Sequence, residues 1–185
     1  MKAIMLSTQP KWVAKISNGE KKIETRKRFP SDYVGWVYIY CTKGKPYLYR
    51  FSIDDRYSLY PYKSEKLAQQ YDDFKCFNGK VVARFYCDKV EEIDSVYDMF
   101  GDDYYFTETT NQDNLLNKSC LTFIELDKYV EKEKGYAIHI SQLEIFDEPK
   151  ELSEFSIKVF PHRKDNLMTR YLTRAPESYC YIEID

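Results

Sequence analysis

The sequence predicts an α+β fold: a small mixed or antiparallel β-barrel decorated by helices and carrying two insertions. Three observations lead there. Five or six short segments rich in β-branched and aromatic residues read as strands, two or three segments read as helices, and the first helix runs directly into a strand. The regular strand–helix alternation of a parallel doubly wound sheet is missing. At 185 residues and 43% hydrophobic the chain can bury a real core, so one domain over residues 1–185 is expected, with insertions near 45–78 and 94–135.

The first helix is expected over Gln9 to Asn18, where Ser7 or Thr8 can cap it, Pro10 suits its first turn and Gly19 the position just past its end. Trp12, Val13 and Ile16 form its apolar face. Lys22 to Arg26 is a short alternating strand. Trp36 to Cys41 is a stronger one, with Val37, Ile39 and Cys41 on one face and Trp36, Tyr38 and Tyr40 on the other. Residues 43–78 are rich in Tyr, Asp and Lys with weak periodicity, and read as an insertion with one helix near Ser64 to Tyr71. Asn78-Gly79 closes it as a turn. Lys80 to Val90 is the next strand, and residues 94–117 form a second irregular, acidic stretch. A helix from Thr122 to Lys134 closed by Gly135 follows, then strands over Tyr136 to Ile140, Gln142 to Phe146 and Tyr179 to Ile184.

Charge is unevenly spread. The net charge is −2 and the pI near 5.8, which argues against a protein that coats duplex DNA by neutralising many phosphates. Yet residues 1–50 hold eleven Lys or Arg against three acids, while residues 51–160 hold 13 basic and 23 acidic side chains. A local basic face on an acidic body suits one nucleotide or a short single strand; the plainer alternative is a solvated basic surface. The longest apolar stretch, Trp36 to Cys41, falls far short of the roughly 20 residues a membrane span needs, and Met1-Lys2-Ala3 opens no signal-peptide apolar region. A cytoplasmic protein with no membrane partner is expected. The five cysteines, Cys41, Cys76, Cys87, Cys120 and Cys180, are widely spaced without C-x-x-C, so no disulfide framework or zinc site is expected, and Cys41, Cys87 and Cys180, each inside an apolar or aromatic run, read as buried strand thiols. No phosphate loop, dinucleotide fingerprint or G-x-S-x-G occurs, and no cofactor is expected.

Gly19-Glu20-Lys21-Lys22-Ile23-Glu24-Thr25-Arg26 fits the pattern G-x-K-x-x-E-x-R. It resembles the signature of the ASCH (activating signal cointegrator homology) family, placed as in that family after the first helix. Met5-Leu6-Ser7, Gly35 to Cys41, Gly79 to Ala83 and Ala175 to Tyr181 are similar to further landmarks, so that about half of the chain takes part. The resemblance implies a PUA-like barrel with a cleft beside the signature that binds RNA or a nucleotide. It also implies an enzymatic possibility: bacterial acetylcytidine amidohydrolases use the signature Lys with a Thr at the place of Glu24, and ribonuclease activity is proposed for other members.

The residues themselves admit three roles. Lys21, Glu24 and Arg26 combine an amine, a carboxylate and a guanidinium within six residues. Lys21 becomes a base or nucleophile only if burial or neighbouring cations lower its pKa, with Glu24 as its partner in proton transfer. Strict alternation puts Lys22, Glu24 and Arg26 on one face, and Lys21 joins them only from the turn after Gly19. The alternative is a structural ion pair of Glu24 with Arg26. Trp36, Tyr38 and Tyr40 are candidate nucleobase platforms or core residues. Ser7, Gln9 and Ser178 can hydrogen-bond a base edge, or serve as caps and turns. His139 reads as a satisfied strand histidine, and His162 as a loop residue. Three function classes follow: a module binding RNA, a nucleotide or a modified nucleoside, with Lys21, Lys22 and Arg26 facing phosphate or base; a hydrolase of a modified nucleoside or of RNA; and an interaction protein using the Tyr-rich and acidic insertions.

Overall fold

The computed structural model describes residues 1–53, 56–62, 76–97, 103–130, 134–159 and 168–184, with backbone alone for 49–53 and 56–62. The chain divides into two compact units. The first comprises Met1–Asn18, Trp36–Phe85 and Leu143–Asp185, and the second Gly19–Gly35 and Tyr86–Gln142.

A seven-stranded mixed sheet organises the first unit. Its elements are β1 (Lys2–Thr8), β3 (Gly35–Cys41), β6 (Val81–Cys87), β10 (Ser141–Lys150), β11 (Ser156–Val159), β12 (Met168–Tyr171) and β13 (Tyr179–Glu183), in the order β10-β6-β3-β1-β13-β11-β12. β1 lies at the centre, parallel to β3 with Ile4 opposite Val37, and antiparallel to β13 with Ala3 opposite Ile182. Ala3, Ile4, Met5 and Leu6 are all fully buried, which is why their run lacks the alternation that marks a half-exposed strand and is not among the strands expected from sequence. The core gathers Ala3, Met5, Tyr38, Tyr40, Val81, Phe146, Phe155, Leu172 and Ile182.

The α+β class and the mixed sheet stand. The ladder order is linear, however, with β10 and β12 at its two edges, so the expected ring of strands is not closed among the described residues. Helix α1 (Pro10–Ser17) has Pro10 in its first turn, but its N-cap is Gln9 without a side-chain bond. Ser7 and Thr8, expected as caps, are the last residues of β1. Val13, Ala14 and Ile16 are buried, whereas Trp12 is only half-buried, with Lys11 Nζ 4.1 Å from its ring centre.

The insertion at 45–78 is less irregular than its composition implies. β4 (Tyr47–Ile53) and β5 (Arg56–Tyr62) pair as an antiparallel hairpin. The helix expected near 64–71 lies outside the described residues. Asn78-Gly79 does form a turn, with Gly79 at φ +80°, a region that favours glycine. Asn78 also ties the insertion down: its Oδ1 accepts the Leu48 N–H at 2.7 Å, and its Nδ2 donates to the carbonyls of Gly44 and Pro46 at 2.6 and 3.0 Å.

The second unit is built on a four-stranded sheet in the order β2-β9-β7-β8, from β2 (Ile23–Arg26), β9 (Gly135–His139), β7 (Val90–Tyr97) and β8 (Asp103–Phe106). The single strand expected over 80–90 is therefore two, β6 and β7, broken at Asp88-Lys89. Two helices, α2 (Gln112–Ser119) and α3 (Phe123–Val130), accompany the sheet, and Ile23, Ile93, Tyr105, Leu115, Leu126, Val130 and Ala137 close its core. Asn111 caps α2 through the Asn114 N–H at 3.1 Å. Thr122 and Glu125 exchange bonds as a capping box that starts α3. Gly135, expected to close that helix, instead begins β9. At the sheet edge, the Tyr105 N–H is taken up by Gln112 Oε1 at 2.8 Å, which removes one donor from an otherwise open strand.

Candidate nucleic-acid interface

The signature segment belongs to the second unit. Gly19 sits at φ +73°, just past α1, where a glycine avoids the strain that any side chain would meet. Lys21 precedes β2 and so escapes strand alternation, while Glu24 and Arg26 pair with Ile138 and Tyr136 of β9 and share one face. The three side chains meet. Lys21 Nζ donates to the carbonyl oxygen of Ser119, the last residue of α2, at 2.5 Å, and lies 3.4 Å from Glu24 Oε2. Glu24 Oε1 is 2.9 Å from an Arg26 terminal nitrogen. Lys21 is 2% exposed, Glu24 5% and Arg26 9%.

Burial lowers the Lys21 pKa below the ordinary lysine value; the Glu24 carboxylate opposes that shift and the Arg26 charge adds to it. The backbone is fixed as firmly as the side chains: the Lys22 N–H donates to Lys118 O at 2.7 Å, and the Ile140 N–H to Lys22 O at 3.0 Å. Lys22 itself is exposed, as is Arg28, and Lys27 is half-buried with its Nζ 5.9 Å from the Tyr129 ring centre. The buried part of the segment is thus a Lys–Glu–Arg network and its solvent side carries Lys22, Lys27 and Arg28. Lys27 and Arg28 are missing from the ligand-binding residues expected from sequence, although the unbroken basic run after Arg26 is a signal for them.

The remaining candidates lie in the first unit. Ser7 Oγ donates to Pro176 O at 2.6 Å and the Ser7 N–H to Ser178 O at 3.0 Å, so β1 is stitched to the turn before β13. Gln9 is exposed at the start of α1. Trp36 is half-buried beneath the Arg84 guanidinium, 4.5 Å from its ring centre, and Arg84 in turn donates to Glu144 at 2.7 Å. Tyr38 and Tyr40 are buried members of the core, and Tyr38 packs edge-on against Phe155 at 5.3 Å. Burial raises the Tyr40 pKa, and the Glu151 carboxylate adds to the shift. Cys41 and Cys87 are buried thiols, each pushed up to about 12 by burial, while Cys180 is half-buried.

A second polar cluster, not singled out in the sequence, occupies the other face of the four-stranded sheet. Glu91, buried in β7, accepts from the Thr109 N–H at 2.9 Å and the Thr109 hydroxyl at 2.8 Å, and lies 3.2 Å from Lys89 Nζ and 2.6 Å from His139 Nε2. Burial alone pushes this carboxyl up, but the bonds from Thr109, Lys89 and His139 outweigh it and hold the pKa down at about 2. His139 is accordingly a satisfied strand histidine. His162 lies outside the described residues. No helix among the described residues is long and apolar enough to cross a membrane, and no group of three or more His, Cys, Asp or Glu among them is arranged to hold a metal.

No family model matches the sequence, and no curated protein matches it. Solved structures do. The chain is similar to ASCH from Zymomonas mobilis, with a TM-score of 0.55 and 14% identity over 98% of this chain and 87% of that one. Structures of two single-substitution mutants of the Zymomonas mobilis protein match with TM-scores of 0.53, also at 14% identity, covering 99% and 98% of this chain and 91% and 88% of theirs. At such low identity the likeness concerns the fold, and over nearly its whole length this chain has an ASCH-like fold.

Proposed function

We propose that the protein binds RNA or a nucleotide through the basic segment 21–28. The observation that carries this reading is the division of labour within the segment. Lys21, Glu24 and Arg26 are buried against each other and anchor the strand, which leaves Lys22 and Arg28 facing solvent on a rigid support, with Lys27 half-buried beside them. Solvent-facing cations are the groups that can release counterions from phosphates, and a fixed backbone lowers the entropic cost when they do so. The ASCH-like fold is consistent with the reading. Titrating a labelled single-stranded RNA into the protein and into a Lys22→Ala/Arg28→Ala variant tests it. Affinity that falls in the variant, with a salt slope of roughly −0.7 per phosphate met, supports it; equal affinity and a flat salt response overturn it.

A second reading, hydrolysis of a modified nucleoside or of RNA, draws on the lowered Lys21 pKa, since an amine becomes a base only when its ammonium form is disfavoured. It requires substrate to reach a side chain that is 2% exposed and already bonded to Ser119. Mass analysis of modified nucleosides and of a single-stranded RNA incubated with the protein decides it: both remaining unchanged removes this reading and leaves the binding one.

A further inference from the structure

The second unit carries an open groove of about 490 Å³, lined by Tyr104 and Phe106 of β8, the loop 107–110, and Asn111 and Asn114 at the start of α2. We propose that this groove is a binding site for a single unpaired nucleobase, which stacks on Tyr104 and Phe106 and is read by the side-chain amide of Asn114 beside them. The site lies outside the basic segment, and the inference does not rest on that segment's role.

Strand geometry makes the platform. Tyr104 and Phe106 are two residues apart in β8 and share a face, opposite Val96 and Asp94 of β7, while Tyr105 turns inward and is fully buried with its hydroxyl on Asp127 at 2.6 Å. The Tyr104 and Phe106 ring centres are 6.2 Å apart and their planes differ by 34°, so the two rings offer a continuous, gently bent aromatic surface. Tyr104 is 38% exposed. Its exposure leaves a face for a flat ligand.

The groove wall is held in place before any ligand arrives. The Thr107 N–H donates to Thr110 O at 2.8 Å and the Thr110 N–H returns to Thr107 O at 3.4 Å, while Thr109 is bound to Glu91 through both its N–H and its hydroxyl. Thr107 is 4% exposed, and its Oγ1 is a buried hydroxyl without a hydrogen-bond partner among the described residues. Such a group costs stability, and because its oxygen is closed to water it belongs to the packed backing of the groove rather than to the surface a ligand would touch. Asn114 is exposed and its side-chain amide makes no hydrogen bond among the described residues, so a donor and an acceptor are available there together.

Charge selects the part of the nucleotide that fits. Among the described residues Glu108 is the only carboxylate lining the groove, and residues 86–142 hold 13 acidic side chains against five basic ones, so the groove repels a phosphate. One cation stands beside it: Lys89 Nζ lies 3.3 Å from Thr109 Oγ1 and is shared with Glu91. A flat, neutral ring with edge donors and acceptors matches an aromatic floor beside an asparagine amide, and a nucleobase is such a ring.

The test uses the full chain and probes without phosphate. Adenosine and uridine are titrated while backbone amide resonances are followed by NMR, with ribose and N-acetylarginine amide as the sugar and cation controls. The expected result is that one nucleoside shifts the resonances of residues 104–114 saturably, that Tyr104→Ala weakens it about fivefold or more, and that Tyr104→Phe retains it. Far-ultraviolet circular dichroism confirms that both variants are folded, and Asn114→Ala is expected to change the preference between the two nucleosides. No shift in the groove with either nucleoside at millimolar concentration overturns the proposal. So does binding of ribose or of the arginine derivative there with equal or greater affinity. Because adenosine carries no phosphate, these outcomes are read separately from salt-dependent RNA binding at the basic segment.

Discussion

Lys21 Nζ donates to the carbonyl oxygen of Ser119 at 2.5 Å, so a cation from the basic segment closes the C-terminal end of α2. The last carbonyls of a helix have no partner within it and carry the negative end of its dipole, which makes a buried ammonium a fitting cap. The same ammonium lies 3.4 Å from Glu24, which in turn holds Arg26. Lys21→Met keeps the length of the side chain but leaves Ser119 and Glu24 without this partner in a place nearly closed to water. Urea unfolding is expected to show a loss of about 3 kcal/mol. A variant as stable as the parent would show that the buried ammonium contributes nothing.

The protonation of Lys21 gives a second, independent check. Burial lowers its folded pKa below the ordinary value of 10.5, so between that lowered value and 10.5 the unfolded chain binds more protons than the folded one. The contribution of this group to stability therefore rises as pH increases through that window. In a lysine side-chain NMR titration, one ammonium should give up its proton before the exposed lysines do, and the signal should vanish in Lys21→Met. If every lysine titrates together, Lys21 is more hydrated than its burial indicates.

Exposed cations behave differently from buried ones. Lys22 and Arg28 are both exposed, so Lys22→Ala/Arg28→Ala should leave the unfolding free energy within about 0.5 kcal/mol of the parent, the range of ordinary surface changes. Its salt slope for single-stranded RNA should be shallower by roughly 0.7 for each phosphate that the variant no longer meets. A large drop in stability would mean that these side chains support the fold rather than a ligand.

The legible parts of this protein are those where local chemistry and tertiary context agree. Pro10 and Gly19 bracket α1, Asn78-Gly79 makes its turn, and the aromatic–aliphatic alternation of 35–41 makes β3. Lys21 meeting Glu24 and Arg26 is readable as a conditional, because a residue in the turn after Gly19 escapes strand parity. Burial on both faces hides β1, since a continuous apolar run has no period. The hairpin of β4 and β5 is hidden because its tyrosine-rich segments show only weak periodicity in the sequence. Glu91, Thr109 and His139 lie 18 to 48 residues apart, and nothing in a linear reading joins a carboxylate in one strand to a loop threonine and a histidine several elements later.

Backbone strain at Cys120 makes a further prediction. Cys120 follows α2 at φ 55° and ψ 30°, the left-handed conformation that ends many helices and that costs a side-chain-bearing residue roughly 1 kcal/mol. Its N–H bonds to Asn117 O at 3.2 Å and the Leu121 N–H to Leu116 O at 3.1 Å, so the turn is fixed by its neighbours. Cys120→Gly should raise stability by about 0.5 kcal/mol, the relief of strain being partly offset by a more flexible unfolded chain. Thermal unfolding measures it, and a lower Tm would mean that packing of the half-buried thiol outweighs the strain in its backbone.

Glu91 sets the acid limit of the second unit. Its carboxylate is buried, which alone would favour the protonated form, yet it receives the N–H and hydroxyl of Thr109, Lys89 and His139, and its pKa falls to about 2 from an ordinary value of 4.5. Above 4.5 both folded and unfolded chains hold this group charged, and its full contribution to stability is present. As pH drops below 4.5 the unfolded chain takes up a proton that the folded one refuses, and stability declines until pH reaches about 2, where the folded carboxyl also protonates. Glu91→Gln removes that titration and leaves an amide N–H facing donors. The variant should be less stable than the parent at about pH 7, and its unfolding free energy should change less between pH 4.5 and pH 2. Urea unfolding across that range measures both effects. Amide exchange at Thr109 adds a structural reading, because the loop 107–110 is released from its anchor when the carboxylate goes, and protection there should drop ahead of the rest of the unit. Parallel stability curves for parent and variant through the whole range would show that the carboxylate is not the anchor of that loop.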